Sequence, residues 1–205
     1  GSGSIRAEAI NNQCHIVGIS YSELTPEAFL WQSGVGMSGI GGYIYSEAYS
    51  INESGQIVGE TYFAETPGTR AFLWDSVNGM QNLGPGIACD INEYGQIVGQ
   101  AWTDSGTRAF LWEEGSGMID LGDLPGGEDR SWAHSINNSG QVVGASNAAT
   151  SWRAFIWQEG SNMTNIGDLL GGFDGRYARG ISKSGQGVET CEAETGKLEF
   201  LWEEG

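Results

Sequence analysis

The chain has 205 residues, 34 of them glycine and eight tryptophan, and 39% are hydrophobic, enough to bury a core and too many for a disordered chain. Its formal charge of −17 repels phosphate backbones and anionic lipid, which excludes nucleic acid as a partner. No stretch approaches the roughly 20 apolar residues of a membrane helix, so membrane insertion is not expected, and glycine beside β-branched and aromatic residues predicts short strands with tight turns.

Taken in chain order, Gly1-Ser2-Gly3-Ser4 reads as an expression scar or a processed end, and no targeting signal is recognised. The motif Ile-Asn-x-x-Gly-Gln-Ile-Val-Gly then begins at Ile10, Ile51, Ile91, Ile136 and Ile181, in steps of 41, 40, 45 and 45 residues. The first copy departs from it at Cys14 and His15, the fifth at Ser182, Gly187 and Glu189. An alanine precedes each isoleucine by three residues, at Ala7, Ala48, Ala88, Ala133 and Ala178. Downstream, an aromatic-aliphatic-Trp triplet starts at Phe29, Phe72, Phe110, Phe155 and Phe200, and Met37, Met80, Met118 and Met163 each stand four residues before a glycine. Five repeats result, at approximately 5–45, 46–86, 87–130, 131–176 and 177–205.

The second copy parses into strand a at Glu47–Asn52, b at Gln56–Phe63, c at Arg70–Asp75 and d at Met80–Leu83. Asn and Gly between them supply tight turns. Four antiparallel strands per repeat predict an all-β fold, a single five-bladed β-propeller of four-stranded blades over 1–205 with one blade lacking its outer strand. An open stack of five repeats is the alternative. The alanine suits a crowded axial strand a; Phe and Trp of strand c suit the widening gap between blades.

These landmarks resemble the HAF repeat, a bacterial repeat described as extracellular. The likeness covers essentially the whole chain and rests on Arg70-Ala71-Phe72-Leu73-Trp74, Arg108-Ala109-Phe110, Arg153-Ala154-Phe155 and Met118-Ile119-Asp120-Leu121-Gly122. Arginine stands where the family name implies histidine, and Glu27 and Leu198 depart further. The resemblance implies an exported β-repeat protein and assigns no catalytic residue.

Function is expected where the repeats differ. Trp102, Trp132 and Trp152 lie outside the repeated motif, at the end of the blades where b–c loops and d–a crossings meet. Tyr21 and Tyr62 stand at the position of Trp102, and Tyr177 at that of Trp132. Aromatic faces beside polar groups grip sugars and peptides, so the expected function is a binding or scaffold surface for a carbohydrate or peptide; plugging the wide ends of blades is the structural alternative. Two d–a crossings, 122–130 and 167–176, are five residues longer and bring Asp129, Arg130, Asp174 and Arg176 to the same end. A purely structural repeat is the second function class. A glycosidase with axial carboxylates is the third, drawing on Glu8, Glu47 and Asp90, with His134 and Arg179 at equivalent positions.

No catalytic residue, cofactor or metal site is assigned: the two histidines, His15 and His134, are 119 positions apart, and no nucleophile–base pair is recognisable. Cys14, Cys89 and Cys191 are expected as small hydrophobes at strand positions.

Overall fold

The computed structural model describes residues 3–21, 25–41, 44–148, 151–166, 176–193 and 196–202; for residue 176 and from 188 onward the backbone alone is described. Every regular element among them is a strand. The first repeat forms β1 (Ser4–Ile10), β2 (Ile16–Tyr21), β3 (Pro26–Gln32) and β4 (Gly36–Gly39), an antiparallel sheet in chain order. The second forms β5 (Ser46–Ile51), β6 (Ile57–Thr61), β7 (Arg70–Asp75) and the first part of β8 (Gly79–Ile91).

β8 runs for 13 residues from the expected strand d of the second repeat straight into strand a of the third. The junction Leu83-Gly84-Pro85-Gly86 has no spare length, and Gly84 (φ 135°) and Gly86 (φ 152°) take backbone angles that a side chain would resist. With β9 (Ile97–Thr103), β10 (Gly106–Glu113) and β11 (Gly117–Asp120), the strands β5 to β11 follow one seven-stranded order. The fourth repeat gives β12 (Ser131–Ile136), β13 (Val142–Ala148), β14 (Ser151–Trp157) and β15 (Thr164–Asn165), and the fifth gives β16 (Arg176–Ile181), β17 (Gly187–Ala193) and β18 (Gly196–Trp202).

The turn between strands a and b explains the repeated Asn and Gly. Asn52 Oδ1 accepts the Gln56 backbone N–H at 3.0 Å, the Asn52 backbone N–H donates to the Gln56 carbonyl at 3.1 Å, and Gly55 (φ 79°) completes the reversal. The remaining amide hydrogen links repeats: Asn11 Nδ2 donates to the Asn52 carbonyl and Asn52 Nδ2 to the Asn92 carbonyl, each at 3.1 Å, and Asn137 Nδ2 donates to the Ser182 carbonyl at 3.2 Å. In the fifth copy the Ser182 hydroxyl accepts the Gln186 N–H at 3.0 Å but is too short to reach further. Cys14 corrects the expectation of a strand hydrophobe: it is exposed in this turn at φ 59°, where the other copies place Gly55, Gly95, Gly140 and Gly185.

By internal contacts the chain forms two compact units, residues 1–97 and 98–205. In the first, Val17, Ala28, Leu30 and Ile40 of one sheet pack on Ala48, Ile51, Ile57 and Phe72 of the next. In the second, Ala109, Leu111 and Leu121 pack on Ala133, Val142 and Phe155, and the opposite face of that sheet, Val143 and Ala154, packs on Ala178. The strands b are therefore covered on both faces, which is why Ile57-Val58 and Val142-Val143 are consecutive buried pairs instead of an alternation. The repeated alanines are fully buried at 48, 88, 133 and 178, whereas Ala7 lies on the exposed face of β1 beside Ile5 and Ile10.

Candidate functional site

A one-residue bulge follows the repeated alanine, with register shifts at Ala7/Ala9, Ala48/Ser50, Ala133/Ser135 and Ala178/Gly180. The bulge pushes the carbonyl before the alanine against strand b. A Cβ on Gly59 would stand 1.9 Å from the Glu47 carbonyl oxygen, and one on Gly144 would stand 1.9 Å from that of Trp132. The glycine of Ile-Val-Gly is thus required by space. The bulge also re-aims side chains, so that those on either side of the alanine meet: Arg6 pairs with Glu8, and the Arg179 guanidinium lies over Tyr177.

In the second unit this device gathers aromatics. Trp132 on β12 sits opposite Ala145, whose own partner on β14 is Ala154, and these small residues leave room for the indole. Trp152, opposite Asn147, comes to the same face. The two indoles stack with centroids 4.2 Å apart at 30°. Tyr177, from the neighbouring sheet, is close to parallel with both, 6.4 Å from Trp132 at 11° and 6.1 Å from Trp152 at 28°. Arg179 caps Tyr177, its guanidinium carbon 5.5 Å from the ring centroid.

Three polar atoms in this group are buried without a hydrogen-bond partner: Trp132 Nε1, His134 Nε2 and Ser151 Oγ. An unsatisfied buried polar group costs about 1–3 kcal/mol. Burial, then the nearby Arg179 charge, hold His134 down at about 4, so its imidazole is neutral at physiological pH.

The first unit uses the same positions for a polar cluster. Glu47 and Glu60 are cross-strand partners. The Tyr45 hydroxyl donates to both, at 2.5 and 3.3 Å, and the Tyr49 hydroxyl donates to Glu60 at 2.9 Å. Arg6 pairs with Glu47, which is only 3% exposed. Burial raises the Glu60 pKa, and burial with these carboxylates raises both phenols further. Desolvation, helped by Asp90 and Glu60, pushes the Cys89 thiol up to about 12, leaving it an unreactive thiol.

The sequence-named residues thus fall in several places. Trp132, Trp152 and Tyr177 come together. Trp102, 39% exposed on β9, makes no ring contact with a described residue. In the first unit Tyr21 is exposed at the end of β2, and Tyr62 is exposed with its ring 5.6 Å from Tyr45. Asp129, at φ 52°, binds Arg108 at 3.2 Å, as Asp123 does at 3.2 Å and Asp120 at 3.1 Å, so Arg108 pins the long crossing. Arg130 is exposed, and its carbonyl accepts the Asn147 N–H at 2.8 Å. Asp174 lies outside the described residues, as does the side chain of Arg176, which opens β16. Of the carboxylates named for a glycosidase, Glu47 is joined by Glu60, Glu8 pairs with Arg6, and Asp90 accepts the Ser50 hydroxyl at 2.8 Å.

Sequence reasoning missed Tyr45, Tyr49, Glu60 and Arg6; variation at the two positions flanking the repeated alanine would have pointed to Tyr49 and Arg6. It also missed Ser46 and Ser131, whose hydroxyls each accept a backbone N–H at 2.9 Å, from Ala28 and Ala109, and so tie strand c of one repeat to strand a of the next. No group of three or more His, Cys, Asp or Glu able to hold a metal occurs among the described residues. Comparison of the chain with known protein families and with curated proteins returns no match.

Proposed function

We propose that the chain is a non-catalytic binding module whose fourth and fifth repeats present an aromatic face to a carbohydrate. The stacked Trp132–Trp152 pair with Tyr177 carries this reading. Sugar rings lie their C–H faces on such platforms while hydroxyls seek the donors and acceptors around them. In this reading the repeats are blades of a five-bladed propeller, the three-stranded β16–β18 sheet is its incomplete blade, and the protein is an exported member of the HAF type.

A catalytic reading draws on Glu47 and Glu60, two carboxyls bridged by one phenol. Glu47 is buried and already engaged by Arg6 and Tyr45, which makes the cluster a structural brace.

Glycan-array binding by the parent and by Trp152→Ala and Trp102→Ala variants tests the proposal. Binding should fall at least about tenfold in Trp152→Ala and stay within about twofold in Trp102→Ala. Equal loss in both, or no glycan bound by the parent, would overturn it.

A further inference from the structure

Two arginines of this acidic chain are taken up by acids, Arg6 by Glu8 and Glu47 and Arg108 by three aspartates, while Arg70 and Arg153 donate to the Pro67 and Trp152 carbonyls. Arg179 is different. It is exposed, it forms no ion pair with a described residue, and it is held over the Tyr177 ring by the bulge that follows Ala178. Its neighbour His134 is uncharged near neutrality, and the charge that stands over the Tyr177 ring is that of Arg179. A neutral sugar leaves a guanidinium that has no acid partner among the described residues hydrated beside it. A carboxylate matches the planar fork with two parallel hydrogen bonds.

We propose that this face takes an acidic saccharide, a uronic acid within a glycan, whose ring lies on the Trp132–Trp152–Tyr177 face and whose carboxylate pairs with Arg179. The proposal rests on the carbohydrate reading above and narrows its ligand class. One guanidinium suits one carboxylate per sugar ring. The net charge of −17 repels densely sulfated or phosphorylated polymers, which offer many more charges than Arg179 can offset.

Isothermal titration of the whole chain tests this, with trisaccharides of glucuronate, galacturonate, mannuronate and guluronate, each beside its carboxyl-reduced neutral counterpart, in 0.15 M NaCl. At least one uronate should bind about tenfold or more tightly than its reduced form. Arg179→Gln should abolish that preference by weakening the uronate alone, and Arg179→Lys should retain part of it. Arg179 is exposed, so both variants should keep the parent's far-ultraviolet circular dichroism. Reduced sugars binding as tightly as the acids in the parent would overturn the acidic-ligand proposal and leave the carbohydrate reading standing. Silence with all eight sugars and with the glycan array would overturn both.

Discussion

His134 shows how a single side chain in the aromatic face couples the fold to pH. In the folded chain burial and the Arg179 charge hold its pKa at about 4, against 6.5 for an ordinary histidine. A lowered value means that the unfolded chain binds a proton which the folded chain refuses, so the contribution is fully present above pH 6.5 and is lost as pH falls towards 4. The parent should therefore lose stability faster than His134→Gln between pH 7 and 4.5, the difference reaching about 2 kcal/mol. Urea unfolding of both proteins at several pH values measures it; parallel curves would refute the buried, neutral imidazole. Glu60 has the opposite sign, since its raised value confers stability below the ordinary carboxyl range that is lost as pH rises through the folded value.

At the level of strands, the bulge after the alanine decides which positions tolerate a side chain. Gly59 and Gly55 belong to the same motif copy and are required for different reasons. Gly59 has the Glu47 carbonyl and the Phe72 ring, 1.9 and 2.8 Å from any added Cβ, whereas Gly55 has open space and only its φ of 79° to satisfy. Gly59→Ala should cost on the order of 3 kcal/mol and Gly55→Ala about 1 kcal/mol, read from chemical denaturation midpoints at constant m. A reversed order would mean that the backbone angle, and not the carbonyl, governs the motif. The motif spacing made the all-β, antiparallel character of the fold legible, because hairpin turns and buried pairs each leave a local signature, whereas the fusion of strand d of the second repeat with strand a of the third in β8 leaves none. It did not give away the face. A bulge adds one residue to the two-residue period of a strand, so Glu8, Tyr49, His134 and Arg179 turn to the side where alternation alone would not have placed them. The pairing of Trp132 with Trp152 was half legible, as both were named from chain position, but their stacking depends on Ala145 lying between them. The grip of Arg108 on Asp129 was not legible, since the partners are 21 residues apart and no local pattern joins them.

The molecule as a whole carries 26 acidic and nine basic residues, a net charge of −17. Ion pairs such as those of Arg108 are local, while the repulsion among unpaired carboxylates acts over distances that salt screens, the screening length falling from about 30 Å at 0.01 M to about 10 Å at 0.1 M. Repulsion should dominate, so raising NaCl from 0.01 to 0.15 M should stabilise the chain by about 1 kcal/mol, or roughly 2–4 °C in Tm. A Tm that falls with salt in scanning calorimetry would show that the ion pairs outweigh the repulsion.

The asparagine links between repeats have a direction. Each of Asn11, Asn52 and Asn137 donates forward to a carbonyl in the copy that follows, while the fifth copy receives a link at the Ser182 carbonyl and passes none on among the described residues. The links therefore run one way along the chain. Duplication of a middle copy brings both a giver and a receiver to the new junction, and the joint heals without any further substitution. Duplication of the fifth copy would place a serine where a giver is needed. Gain and loss of copies by recombination is accordingly easiest among the copies that carry the asparagine.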